Sequence, residues 1–188
     1  MCGPGSDTVT PVSLPARPGA VPAPVESPDG AAPMFSIEFG KMLCMGCRPA
    51  GRCRFGLVLR RGENGAVEGT ARFSAEHEGA GGVVHGGSVM GALDEACGAV
   101  PIAAAVLSVT AEMNVAFRRP VPLDRELDVR AWPESRDERG HWIIHAELYL
   151  SGDDRPLCHA QARFVERDPE KHYGRFKEWL DGRENAAG

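Results

Sequence analysis

From Met34 onward the apolar residues fall into short patterned runs, whereas before it they show no period. Apolar pieces occur at residues 35–39 and 55–59. Residues 66–73 alternate, with Val67, Ala71 and Phe73 on one side, and a period of two predicts a strand. The glycine-rich stretch 76–82, EHEGAGG, reads as a loop. Residues 85–100, HGGSVMGALDEACGAV, are rich in Ala, Met and Leu and too long for a strand. They predict a helix that Pro101 ends, because proline cannot donate the next helical hydrogen bond. The clearest alternation is at 107–117. Leu107, Val109, Ala111, Met113, Val115 and Phe117 share one face, and Ser108, Thr110, Glu112, Asn114 and Ala116 the other, as in a half-buried strand. Pro120 and Pro122 close it. Three further strands are predicted at 126–132, 142–150 and 157–165, with DERG and SGDDRP as the hairpin turns between them. Residues 169–180 predict a short amphipathic helix. No internal repeat is present.

Strands, one apolar helix, then four antiparallel strands in a meander predict an α+β architecture. A helix apolar nearly all round must be buried, here by a curved antiparallel sheet. A domain covering 34–188 is expected. Residues 1–33 carry eight of the fifteen prolines, with much Gly and Ala, and cannot bury enough apolar area to offset their ordering entropy; a disordered tail is expected there. The chain's 188 residues suit a single domain with a real core.

Charge and composition remove several function classes. The net charge is -5 with no basic block, so nucleic acid is not an expected partner. No apolar run reaches the roughly 18 to 20 residues of a membrane span; the longest, 89–106, is broken by Asp94, Glu95 and Pro101. The N-terminus lacks the basic and apolar regions of a signal peptide, so no membrane association and a cytoplasmic location are expected. The six cysteines (Cys2, Cys44, Cys47, Cys53, Cys97, Cys158) are then expected as reduced thiols. Cys44, Cys47 and Cys53 form C-x2-C-x5-C, but a structural zinc wants four ligands and no His is close in sequence. No metal is expected; a redox-labile Cys44/Cys47 pair and a zinc-dependent partner-binding role stand behind that reading. No Cys-His arrangement suggests a thiol nucleophile.

Asp94 is the first chemical candidate. A carboxylate on a buried apolar helix costs free energy unless it is paired or used. Met90, Gly91, Cys97 and Gly98 lie three and four residues away, and the two glycines leave room for a ligand. A solvent-facing acid, or one paired to a neighbouring strand, is the other reading. Glu95 points roughly 100° away around the helix, and the pattern alone lets the two acids exchange roles. His85-Gly86-Gly87 is the second candidate. Its glycines stand where a loop enters the helix, where the first N–H groups lack partners and the helix end carries partial positive charge. Such an end suits a carbonyl oxygen gaining negative charge, as in a thioester under attack. A tight turn with close packing uses the same residues.

The combination GGVVHGGSVMGALDEACG, with His85 nine residues before Asp94, resembles the hotdog-fold acyl-CoA thioesterases of the phenylacetate-pathway type. TAEMNVAFRRPVPL, 110–123, looks like that family's strand after the helix, and CMGCRPAGRCRFGLVL like its CxxCG lead-in. The resemblance spans about 44–165. It implies a hotdog fold and hydrolysis of an acyl-CoA or acyl-carrier-protein thioester without a cofactor. Asp94 matches the catalytic acid, as a general base on water or as a nucleophile. Gly86 and Gly87 match oxyanion donors, and His85 the motif histidine. Thr110 matches a Ser/Thr that reaches the site from a partner subunit and orients water. It follows that the site lies across a homodimer, within a dimer or homotetramer. The acyl chain would lie near Met90, Leu93 and Cys97, and Arg118 and Arg119, or Arg60 and Arg61, would meet CoA phosphates unless they are solvated strand ends. The pattern departs at Gly79, where some relatives carry a water-holding Asn or Gln; His77 or Thr110 are the substitutes in view. Because a shared fold does not guarantee shared chemistry, a non-catalytic acyl-thioester binding module is the alternative.

Overall fold

A computed structural model of the chain describes Cys47, residues 50–168, and Lys171, His172, Gly174, Arg175 and Glu178. The expected tail at 1–33 and the apolar piece at 35–39 lie outside these residues. Among the described residues eight strands are formed: β1 Val58–Arg61, β2 Val67–Ala71, β3 Glu78–Ala80, β4 Val83–Val84, β5 Ser108–Phe117, β6 Leu127–Arg136, β7 His141–Leu150 and β8 Cys158–Glu166. One helix, α1 Gly86–Ala103, stands between β4 and β5. Six strands make one antiparallel sheet in the order β1-β2-β6-β7-β8-β5. This is the hotdog arrangement, one central helix against a multi-stranded antiparallel sheet. The described residues of the C-terminal segment after Pro169 are helical, as expected.

The alternating strands bury one face against α1. Leu127, Val129 and Ala131 of β6, Trp142, Ile144, Ala146 and Leu148 of β7, and Cys158, Ala160, Ala162 and Phe164 of β8 are buried. From the helix come Val89, Ala92, Leu93, Ala96, Cys97, Ala99 and Val100. Each fully buried Leu or Ile in such a core contributes about 1.5–3 kcal/mol relative to exposure. The β6–β7 turn is DERG: Asp137 Oδ1 accepts from the N–H groups of Arg139 and His141, and Gly140 takes φ 75, which favours glycine. The β7–β8 connection falls at SGDDRP.

Four expectations are corrected. Pro101 does not end the helix; it sits in the last turn, and α1 runs on to Ala103. The EHEGAGG loop is a 3-10 turn, Ala75–His77, followed by the small β3–β4 hairpin turned at Gly82, φ 74. The last four strands are not a simple meander. β6, β7 and β8 are, but β5 pairs with β8 at the far edge of the sheet. Nor is α1 buried all round. Gly91, Asp94, Glu95 and Gly98 are half-buried and Met90 is exposed, so one strip of the helix stays open. None of the β5 residues is buried, which leaves the strand beside that strip equally open.

Candidate functional site

Asp94 lies on the open strip of α1, and β5 brings Thr110 to it. The register of β5 against β8 slips between Thr110 and Glu112, so Ala111 is a one-residue bulge. Strict alternation from Leu107 would set Thr110 on the side away from Met113 and Val115. With the bulge, Thr110 stands opposite Phe164, Met113 opposite Ala162 and Val115 opposite Ala160, all three partners being core residues. Thr110 therefore faces the helix, and its Oγ1 donates to Asp94 Oδ1 at 2.8 Å. The bond is made within one chain. Burial pushes the Asp94 carboxyl above its ordinary value, and the Thr110 bond partly offsets this. Glu95 faces elsewhere and adds repulsion that helps burial raise the Cys53 thiol. Of the two acids, Asp94 is the one held by a side-chain donor from β5.

The start of α1 is set by His85, its N-cap. The His85 Nδ1 accepts from Gly87 N–H at 3.0 Å, so this nitrogen is bare and that glycine's amide is already used. Gly86, the first helical residue, retains its amide for another acceptor. A Cβ on Gly86 would lie 3.5 Å from the Phe117 ring, so the aromatic edge of β5 flanks this amide. Along a helix axis, eight residues at about 1.5 Å each separate Gly86 from Asp94 by roughly 12 Å. The amide and the carboxylate of one chain thus stand at opposite ends of the open strip.

Gly79 has a packing reason of its own. A Cβ there would lie 2.6 Å from the His85 Cα, and the His85 N–H donates to the His77 carbonyl at 2.7 Å. Backbone approaches backbone here, and no Asn or Gln side chain fits without displacing the helix cap. His77 is half-buried, with Nδ1 at 3.3 Å from the Ser74 hydroxyl and its ring edge-on to Phe73. Phe55 stands beside it and covers Gly91, whose Cβ would come 2.6 Å from the ring.

The remaining candidates divide. Met90 is exposed on the strip, whereas Leu93 and Cys97 are turned into the core. Burial pushes the Cys97 thiol far above its ordinary value, which leaves it inert. Arg119 is committed to the β7–β8 connection: its guanidinium bonds Asp153 at 2.7 Å and the Arg155 carbonyl, and holds the Asp153 carboxyl down at about 2. Arg118 is exposed at the end of β5. Arg60 and Arg61 are exposed on β1, away from Asp94 on the far edge of the sheet. The Sγ atoms of Cys47 and Cys53 accept backbone N–H groups of Arg54 and Phe55, and Cys44 lies outside the described residues. Among the described residues no group of three His, Cys, Asp or Glu is placed to hold a metal, and no helix is long and apolar enough to cross a membrane. Sequence reasoning missed Phe55 over Gly91, as well as a buried histidine pair on the outer sheet face, because both depend on which strands become neighbours.

The Thioesterase superfamily profile matches residues 81–139, from the β3–β4 turn through β5 into the β6–β7 turn. A thioesterase superfamily protein of known structure is 26% identical, with a TM-score of 0.54, over 58% of this chain; the match spans about half, 55%, of that protein. A phenylacetic acid degradation-related protein from Ralstonia eutropha is 25% identical, with a TM-score of 0.55, over 62% of this chain and 89% of its own. A Streptococcus mutans protein solved bound to acetyl CoA shares the fold at 17% identity and a TM-score of 0.56, over 62% of this chain and 92% of its own. No curated protein matches the chain.

Proposed function

We propose that this hotdog-fold, thioesterase-superfamily chain hydrolyses an acyl-CoA thioester to a carboxylic acid and a thiol, at a site shared between two copies. Asp94 is the acid–base or nucleophilic carboxylate, Thr110 fixes it, and the Gly86 N–H of the second copy receives the oxyanion. The observation that carries this is the Thr110–Asp94 bond of 2.8 Å on the open strip of α1. A structural acid would be expected to close on a cation; this one takes a neutral donor on one oxygen and keeps the other available.

The chemistry follows from the positions. Thr110 occupies Oδ1, so Oδ2 faces the thioester. It takes a proton from an attacking water, or attacks the carbonyl carbon itself to give an anhydride that water then opens; both routes end in the same acid and thiol. A carboxyl raised by burial is a stronger base than one in water. As the tetrahedral centre forms, negative charge collects on the former carbonyl oxygen. A backbone N–H at a helix start stabilises it without reorganisation.

One chain does not supply both parts. An oxyanion donor and a base acting on one carbonyl must each be about 3 Å from the reacting atoms, and here roughly 12 Å of helix intervenes. Two copies whose α1 strips meet head to tail bring each amide to the other's carboxylate. The surface for this is open: Met90 is 40% and Phe117 50% exposed, and β5 is an edge strand, a ready template for pairing. Arg118, at the end of β5, would reach a CoA phosphate.

Purified protein assayed against short, long and aromatic acyl-CoAs, with acid and CoA separated by chromatography, tests the reading. Asp94→Asn should lose about 10²-fold or more in turnover, as removal of an acid–base group does, while Glu95→Gln should stay close to wild type. Binding of CoA compounds with no cleavage by wild type would instead make this an acyl-thioester binding module.

A further inference from the structure

The sheet's outer face, remote from α1, carries a polar cluster that thioester cleavage does not use. His145 of β7 is 1% exposed and His159 of β8 7% exposed, although both point away from the apolar core. Their orientation follows from register: Ala146 and Ala160 are paired and face inward, so His145 and Glu147, opposite Gln161 and His159, face outward. The two rings shelter each other. Trp132 of β6 stacks on His145 with centroids 5.6 Å apart, and His145 on His159 at 5.2 Å. His145 Nδ1 and His159 Nε2 are 3.1 Å apart, and His145 Nε2 meets Glu134 Oε2 at 2.7 Å.

Proton counting limits what this arrangement can hold. Glu134, as a carboxylate, accepts from N–H at His145 Nε2. The 3.1 Å contact between the rings needs one protonated and one bare nitrogen. If both imidazoles carry two protons, no bare nitrogen remains. The bond is lost, and two like charges face each other in a site shielded from water. We infer that Glu134, His145 and His159 form a proton-limited clamp on the outer sheet face, closed while at most one imidazole is charged and opened by the second proton. The clamp ties β6, β7 and β8 together, so its opening loosens the sheet that backs α1.

The surrounding charges fix which ring resists protonation. Burial and the neighbouring His145 push His159 below its ordinary value; Arg118, beyond β5, acts in the same direction, and Glu147 opposes. On β6, Arg130 stands over the Trp132 ring at 5.7 Å, and Glu134 Oε2 lies 2.7 Å from His145 Nε2. From β5, the residues opposite His159 and Gln161 are Ala116 and Asn114, neither of which titrates. The sign follows by linkage. A histidine lowered in the folded state binds fewer protons than in the unfolded chain. Its contribution is therefore fully present above 6.5 and is lost as the pH falls from there through the folded value.

This inference stands apart from the thioesterase reading, and its test uses no substrate. Imidazole nitrogen NMR on the wild-type protein should show His159 taking its proton below pH 6.5, with loss of the shared-proton signal of the ring pair. Thermal melts of wild type and His159→Gln between pH 7.5 and pH 5 should diverge on acidification. Wild type should lose about 3–6 °C more than the variant, which keeps a polar side chain but cannot charge. Histidines outside the pair cancel in the comparison. Titration of His159 at or above 6.5, or parallel melts with equal losses, would overturn the clamp. If the variant does not fold, the wild-type titration decides alone.

Discussion

At the scale of single residues, Asp94 is where the proposed function and stability oppose each other. Its carboxyl is raised by burial, so the folded chain binds a proton there more readily than the unfolded chain does. Between the ordinary value of 3.8 and the folded value, stability therefore falls as pH rises, and the full loss persists at neutral pH. Asp94→Asn removes the charge and leaves an amide oxygen to accept from Thr110. The variant should melt higher than wild type at pH 7.5, and the gain should shrink to nothing near pH 4. A variant less stable at pH 7.5, or a gain that does not change with pH, would mean that the carboxylate is paired rather than strained. Asp94 was legible in the sequence because an acid amid Met, Leu, Cys and Gly breaks an apolar pattern. Its choice over Glu95 was not legible, since it rests on Thr110 reaching one acid and Cys53 standing by the other. That Leu93 and Cys97 turn into the core was not legible for a similar reason: the helix face they share became visible only once the sheet had a side.

At the scale of elements, α1 was readable from length and composition and β5 from its period, but the bulge at Ala111 was not. A period-two reading carries its phase straight through, whereas the bulge is defined by how β5 pairs with β8. That single slip decides which face Thr110 occupies. The β3–β4 hairpin was hidden by its shortness and its glycines. The place of β5 in the sheet was hidden because strands next to each other in sequence need not pair. Gly91 illustrates how context reverses a local rule. Ala is favoured over Gly within a helix by about 1 kcal/mol, but a Cβ at Gly91 would lie 2.6 Å from the Phe55 ring. Gly91→Ala should therefore destabilise, by about 1–3 kcal/mol as overpacking does. Adding Phe55→Leu should recover much of the loss, with a coupling of about 0.5–3 kcal/mol by urea unfolding. A stabilising Gly91→Ala would show that the ring yields freely and does not wall the open strip.

At the scale of the whole molecule, the open strip and the bare edge strand are two sides of one surface, and the proposed chemistry needs that surface covered. The apolar mean of the helix concealed this in the sequence: Gly91 and Gly98 count as apolar, yet both are only half-buried, with Phe55 against the one and Phe164 against the other. The dependence on a second copy can be tested without seeing the assembly. Gly86 is the first residue of α1, where proline is welcome: the N–H it lacks is outside the helical ladder, and the preceding residue, His85, has the extended backbone (ψ 133) that proline favours in its neighbour. The new Cβ would lie 3.5 Å from the Phe117 ring, at ordinary contact distance. Gly86→Pro should thus fold, dimerise and lose turnover by about 10²-fold, the scale of a missing oxyanion donor. Asp94→Asn is defective in the other half of the site. If each site takes its amide from one copy and its carboxylate from the other, a mixed dimer of the two variants holds one doubly defective site and one intact site. Co-refolding equal amounts of two inactive chains should then restore about a quarter of wild-type turnover, since half of randomly paired dimers are mixed and each has one working site. If amide and carboxylate served a site within one chain, both sites of every mixed dimer would stay defective and mixing would restore nothing. Recovered activity that depends on mixing is therefore a property of the pair of copies that neither variant alone can produce.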